Sequence, residues 1–201
     1  MKTLLLARHG ESEYSARALV NGDPGVRCPL TDAGRAQARA LGEALRGERL
    51  DLCAVTEFER VRETADLALM GRDVPRLVVP ELNDPLVGPF EGRALDEYRQ
   101  WAWGRGPTEA PEGAEHRAAL AARYAIGLHR LLERAEESVL LVAHSLPIRY
   151  ALEGAGGRHP EARAEAVAYA TPFRLERADV ERAAAVLEAW ASAPAFSVTM
   201  G

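Results

Sequence analysis

Leu4-Leu5-Leu6-Ala7-Arg8-His9-Gly10-Glu11-Ser12 is an apolar run that ends at a histidine, and Leu140-Leu141-Val142-Ala143-His144-Ser145 repeats the pattern 135 positions later. An apolar run of this length bounded by polar residues suits a strand buried on both faces of a parallel sheet. Ligands bind at the C-terminal ends of such strands. Two runs of this kind are therefore expected to bring His9 and His144 to one edge of one sheet. A single histidine at a strand end is ordinarily a hydrogen-bonded structural residue. Two of them, the first flanked by Arg8 and Gly10, point instead to a site in which backbone and positive charge approach an anion closely. His116, His129 and His159 lie in helical or loop-like surroundings and read as structural or surface residues.

Around these runs the chain alternates between periods. Thr31 or Asp32 caps a helix running to about residue 46, with Ala36, Ala40, Leu41, Ala44 and Leu45 on one face. A strand is expected near Asp51 to Thr56, a helix from Glu59 to Met70 stopped by Gly71, and a strand over Arg76 to Val79. This alternation indicates an α/β fold with a parallel sheet. From Pro80 to Glu115 the regularity fails: Asn83-Asp84-Pro85 and Gly88-Pro89 are turns around a short helix from about Ala94 to Trp103. There Tyr98 and Trp101 share a face and Trp103 points elsewhere. The segment at about 80–115 reads as an insertion, either a lid or aromatic packing against the domain. A long amphipathic helix from Glu115 to Ala135, with Leu120, Tyr124, Leu128, Leu131 and Leu132 buried, leads to the second histidine run. Pro147 is compatible with the first turn of the next helix. Ala166 to Leu175 is expected to be extended and Val180 to Trp190 helical.

Composition narrows the function classes. The 201 residues, 47% hydrophobic and 27% charged, fit one globular domain spanning 1–201. No apolar stretch is long enough to cross a membrane. Met1-Lys2-Thr3 runs straight into the first apolar run without the regions of a signal peptide, so a cytoplasmic location is expected. The net charge of −5, with no basic run, argues against a nucleic-acid partner. Cys28 and Cys53 have neither metal-site nor redox spacing and read as small buried residues. Of 25 basic residues only Lys2 is a lysine, so an arginine carries functional weight only where a motif places it.

Histidines facing each other among arginines suit phosphoryl transfer. A neutral imidazole attacks phosphorus, guanidinium forks hold the nonbridging oxygens, and a carboxylic acid protonates the leaving alcohol. No metal or other cofactor is then required.

Arg8-His9-Gly10-Glu11-Ser12 resembles the signature of the histidine phosphatase superfamily, also called phosphoglycerate mutase-like. Pro29-Leu30-Thr31-Asp32-Ala33-Gly34-Arg35-Ala36-Gln37-Ala38 is similar to that family's Pro-Leu-Thr, Gly, Gln-Ala helix start. Thr56-Glu57-Phe58-Glu59-Arg60-Val61-Arg62-Glu63-Thr64-Ala65 resembles its Ser-x-Leu-x-Arg-Ala-x-Gln-Thr-Ala element. Leu82 to Gly92 follows its acidic segment, and Ala143 to Arg149 its second-histidine segment. The resemblance spans roughly residues 3–150. It implies a three-layer sandwich with a mostly parallel central sheet flanked by helices. It further implies that His9 is the phosphorylated nucleophile, that Arg8, Arg60 and His144 complete the phosphate pocket, and that Asp84 stands where the family places a glutamate general acid. Aspartate is shorter by about 1.5 Å of reach, so Glu91 and Glu11 are alternatives. Ser15 stands in place of a phosphate-binding asparagine, Leu19 in place of an arginine, and Ser145 in place of a glycine. Ser15, Ser145, Asn21 and Gly22 are expected to contact the substrate.

The inserted segment lacks the paired arginines of typical mutases; Arg93 and Arg99 are six residues apart. The expected activity is therefore metal-independent hydrolysis of a small phosphorylated metabolite. Phosphoglycerate mutase-type transfer and a catalytically weak phospho-ligand binder are the alternatives. A metallohydrolase would need carboxylates beside the histidines at ligand-like spacing, which the chain lacks. Ala191 to Gly201 reads as a tail or as a segment crossing to a second subunit of a homodimer.

Overall fold

In the computed structural model, which describes residues 1–196, the first apolar run forms strand β1 (Thr3–Arg8) and the second forms β4 (Ser138–Ala143). They pair in parallel, from Thr3 beside Ser138 to Arg8 beside Ala143. The remaining strands are β2 (Leu52–Val55), β3 (Arg76–Val78) and β5 (Pro172–Glu176), in the order β3-β2-β4-β1-β5. Only β5 runs antiparallel to its neighbour, β1. The helices are α1 (Glu13–Ala16), α2 (Asp32–Ala44), α3 (Glu59–Ala68), α4 (Leu95–Trp103), α5 (Arg117–Leu132), α6 (Ser145–Ala155) and α7 (Arg177–Ser192).

The unbroken apolar character of β1, β2 and β4 follows from burial on both sides. Leu4 and Leu6 of β1, Leu52 and Ala54 of β2, and Val139 and Leu141 of β4 point into one core with α5, α6 and α7. Their alternates, Leu5 and Ala7, Cys53 and Val55, Leu140 and Val142, point into a second core with α2 and α3. The result is the expected three-layer sandwich, because successive strand side chains leave opposite faces. Each fully buried leucine contributes about 1.5–3 kcal/mol, and Leu140 and Leu141 lie at the centre of the sheet.

The helix of 117–132 buries Leu120, Tyr124, Leu128, Leu131 and Leu132 as the periodicity indicates. His116 caps it, accepting a hydrogen bond from the Ala119 amide, and His129 meets Glu188 on the surface. Both are structural residues.

Three expectations shift. Leu41 and Leu45 are buried as expected, but Ala36, Ala40 and Ala44 of α2 are exposed, and Gly34 and Ala38 take the inner face. The extended segment expected over Ala166 to Leu175 becomes a strand only at Pro172, because Ala170 adopts a left-handed conformation, φ 46°, that interrupts it. Before that kink the chain touches the sheet edge through a bridge between Tyr169 and Arg8. The C-terminal segment turns back on its own helix as far as it is described: Trp190 Nε1 donates to the Ala195 carbonyl, and Phe196 packs on Trp190. Residues 197–201 of the expected tail lie outside the described residues.

Candidate active site

His9 is the first residue beyond β1, and its amide continues the ladder by donating to the Ala143 carbonyl (2.9 Å). The chain then turns against the start of α2. A Cβ on Gly10 would overlap the Gly34 carbonyl, and one on Gly34 would overlap the carbonyl of Glu11. Two glycines are needed at this crossing because two backbones meet there without room for side chains. The Gly10 amide donates to Thr64 Oγ1, and Thr31 caps α2 through the Gly34 amide. The loop that carries His9 is thus tied to α2 and α3.

The His9 ring is buried, with Nδ1 2.7 Å from the Gly10 carbonyl and Nε2 accepting from Arg60 Nε at 3.1 Å. A carbonyl only accepts and a guanidinium only donates. These two partners therefore assign the proton to Nδ1 and the lone pair to Nε2. Burial, and then the positive charges of Arg60 and Arg8, hold the His9 pKa well below the usual imidazole value. The ring is neutral at neutral pH, which a nucleophile requires.

Arg60, at the start of α3, joins the site together. Besides His9 it donates to the Asn21 side chain and carbonyl, to Asp84 Oδ2 at 3.0 Å, and to His144 Nδ1 at 3.2 Å. Phe58 stacks under the Arg60 guanidinium at 4.2 Å and meets the His144 ring edge-on at 4.6 Å. His144, fully buried at the end of β4 and heading α6, has Nε2 2.9 Å from Thr56 Oγ1. With Nδ1 accepting from Arg60, the proton lies on Nε2. Burial and then Arg60 lower its pKa strongly as well. The His9 and His144 rings lie 5.4 Å apart, centroid to centroid.

Asp84 also reaches this cluster. Its Oδ2 is 3.4 Å from His144 Nδ1 as well as bonded to Arg60. Burial raises its pKa, with Arg60 and Arg8 opposing. The alternatives are otherwise engaged: Glu91 accepts from the Asn21 side chain and from the Gly22 and Asp23 amides, and Glu11 accepts from the Thr31 hydroxyl.

A cavity of about 210 Å³ opens on His9, Arg8, Arg60 and Asp84. Ser15 and Ser145 line it, and so does Asn21. The Ser145 hydroxyl accepts from the Val167 amide and the Ser15 hydroxyl pairs with Ser12, so both are partly committed to the protein. Two expected site residues are outside the cavity lining: Gly22, whose amide is directed to Glu91, and His144, which is fully buried and reaches the cavity only through Arg60 and Asp84. From α4, Leu95, Tyr98, Arg99, Ala102 and Trp103 form the opposite wall. Tyr98 and Trp101 pack on Phe90. The segment of about 80–115 therefore packs largely on itself, with Val20 joining its cluster, and walls the cavity. Arg93 pairs with Glu97 and does not line it.

Thr56, Phe58 and Thr64 also shape the site, with no sequence signal of their own beyond lying in the stretch that carries Arg60. So does Tyr169, which lies 6.1 Å from the His9 ring and stacks on Arg8. No motif surrounds Tyr169, so nothing in the sequence marked it.

The cluster is poorly suited to a cation, since both imidazoles face the Arg60 guanidinium. Among the described residues no group of three or more His, Cys, Asp and Glu side chains is arranged to hold a metal ion, and no helix is long and apolar enough to cross a membrane.

The family model of the histidine phosphatase superfamily (branch 1) matches residues 4–192. An adenosylcobalamin/alpha-ribazole phosphatase from Salmonella typhimurium is 43% identical over 90 residues, 45% of this chain and 44% of that protein. The alignment thus spans less than half the length of that relative. A 2,3-bisphosphoglycerate-dependent phosphoglycerate mutase from Bartonella tribocorum is 34% identical over 179 residues, covering 78% of this chain and 84% of the other. The crystal structure of the alpha-ribazole phosphatase from Shigella flexneri superposes with a TM-score of 0.75 at 28% identity, over 86% of this chain and 89% of that one.

Proposed function

The chain belongs to the histidine phosphatase superfamily, and from that premise we propose that it is a metal-independent phosphomonoester hydrolase working through a phosphohistidine at His9. The observation that carries the reading is the His9 tautomer: Nδ1–H is engaged by the Gly10 carbonyl, and the lone pair stands on Nε2 at the cavity.

His9 Nε2 attacks the phosphorus of a small phosphorylated substrate as the bond to the leaving oxygen breaks. The Arg60 donor that held the lone pair passes to a phosphoryl oxygen, so no positive group is left unpaired. Arg8 and Arg60 supply charge and fork geometry for the nonbridging oxygens, with His144 and the first amides of α6 beside them. Burial shifts Asp84 toward its acid form, and in that form it gives its proton to the leaving alkoxide. As a carboxylate it then takes a proton from the water that attacks phosphorus, releasing phosphate and restoring His9.

Hydrolysis rather than transfer between two positions of one substrate is supported by the α4 wall. It presents Tyr98, Ala102 and Trp103 to the cavity along with the single Arg99, where the mutase reading calls for an arginine pair. The segment at about 80–115 serves as the lid, and the alcohol part of the substrate lies against it. The test is hydrolysis of p-nitrophenyl phosphate with a metal chelator present, in the wild type and in His9→Ala. Activity that survives chelation and disappears in the variant is expected. Activity that needs a metal, or that survives the substitution, overturns the reading.

A further inference from the structure

Arg8 is held by a segment remote in sequence, and the way it is held selects one edge of its guanidinium. Nη1 donates to the Val167 carbonyl at 2.8 Å, and Cζ lies 3.9 Å above the centre of the Tyr169 ring. Nε is buried with no hydrogen-bond partner, and Nη2 makes no hydrogen bond among the described residues. Nε–H and Nη2–H lie in the guanidinium plane along the same edge, spaced to grip two oxygens of one tetrahedral anion. Buried polar groups are ordinarily satisfied, so this free edge beside the cavity marks where an anion belongs.

The segment that does the holding is anchored on purpose-built contacts. The Ala170 amide donates to the Arg8 carbonyl at 2.9 Å, and the Val167 amide donates to the Ser145 hydroxyl at 2.9 Å. Ala170 takes the left-handed conformation, φ 46°, which a residue with a Cβ adopts only where its surroundings over-determine it. That kink sets Tyr169 immediately before it, with the ring against Arg8 and in the cavity wall. A ring face below a cation attracts it and also fixes its plane, as a single hydrogen bond to Nη1 does not.

We propose that Tyr169 is the positioning residue for Arg8, fixing the guanidinium plane so that the Nε–Nη2 edge is the two-point clamp on the phosphoryl group. This rests on the phosphatase reading for its ligand, and its test reads anion binding separately from turnover.

Orthovanadate affinity, measured by calorimetry and by inhibition of p-nitrophenyl phosphate hydrolysis, is compared in wild type, Tyr169→Leu, Tyr169→Phe, Arg8→Ala and Arg8→Ala/Tyr169→Leu, with melting temperature as the control for folding. Tyr169→Leu is expected to weaken vanadate binding about tenfold with an unchanged melting temperature, and Tyr169→Phe, which keeps the ring, to recover most of that loss. In the Arg8→Ala background the same leucine substitution is expected to change affinity less than about twofold, because its effect passes through Arg8. An equal loss in both backgrounds, or no recovery by phenylalanine, overturns the proposal. Should Tyr169→Leu fold poorly, Tyr169→Met, unbranched and without a ring, takes its place with the same expected outcomes. A protein that binds vanadate in this pattern but hydrolyses no phosphomonoester would refute the phosphatase reading and leave the positioning role standing.

Discussion

Arg60 Nε donates to His9 Nε2 across 3.1 Å, so the lone pair that would attack phosphorus is held by the same cation that would hold the phosphoryl oxygens. The contact adds to burial in keeping His9 neutral and would tie readiness of the nucleophile to the presence of an anion for Arg60 to move to.

Removing that cation should raise the histidine pKa values. Burial is the largest cause of the depression at His9 and His144, and Arg60 the second at both. In Arg60→Met the burial remains while the repulsion goes, so the protonated form becomes easier to reach. Imidazole NMR titration is expected to show both rings protonating at higher pH than in the wild type, with kcat/KM for p-nitrophenyl phosphate lower by a factor of about 100 or more. Unchanged titrations would contradict this account of the site.

Asp84→Asn should separate substrates by leaving group. A poor leaving group such as an alkoxide needs the proton, and its loss is expected to lower kcat by about 10²–10⁴-fold. p-Nitrophenolate leaves without assistance, so its kcat should fall far less. Steady-state kinetics on an alkyl and a p-nitrophenyl phosphate measure the difference, and equal losses on both would remove Asp84 from the role of acid.

Glu91 accepts three hydrogen bonds from the loop of residues 21–23, and Asn21 in turn bonds Arg60. Glu91→Ala leaves those donors unpaired. Hydrogen bonds to charged groups are worth about 1.5–3 kcal/mol each, so denaturant unfolding should report a loss of at least that size. Activity should fall with it, since Arg60 loses a tether. A loss below about 0.5 kcal/mol, the range of ordinary surface changes, would show the loop is held elsewhere.

Stability should fall as the solution is acidified below the unperturbed histidine value. Folded His9 and His144 have pKa values well below 6.5, so their contribution is complete above about that pH. It is lost as pH falls from there through the depressed folded values, because the unfolded chain takes up protons that the folded one refuses. The raised pKa of Asp84 acts with the opposite sign: protonation favours its folded form, and that contribution is lost as pH rises through the folded value. Melting temperatures of wild type and His144→Gln between pH 5 and 7 are expected to converge on acidification. Parallel curves would contradict the buried neutral assignment.

Much of this was legible in the chain because local pattern and tertiary demand agree. β1 and β4 read as continuous apolar runs since both faces of each are buried, and His9 and His144 follow at their ends. Arg8, Arg60 and Asp84 came from motif resemblance, and the structure gathers these three with His9 at one cavity. What was not legible depends on distant partners. Gly22 points its amide at Glu91, sixty-nine positions away, and Tyr169 finds Arg8 only because Ala170 kinks an otherwise extended segment. Neither the Glu91 side chain's direction nor a left-handed alanine leaves a mark in residue periodicity.

The most direct test of His9 as nucleophile is to trap the covalent intermediate. Protein turning over p-nitrophenyl phosphate is quenched in base, where phosphohistidine survives, digested, and its peptides are weighed. The expected result is one phosphoryl group on the peptide containing His9, absent from His9→Ala. A phosphoryl group on the peptide containing His144, or turnover with no adduct on any peptide, would contradict it.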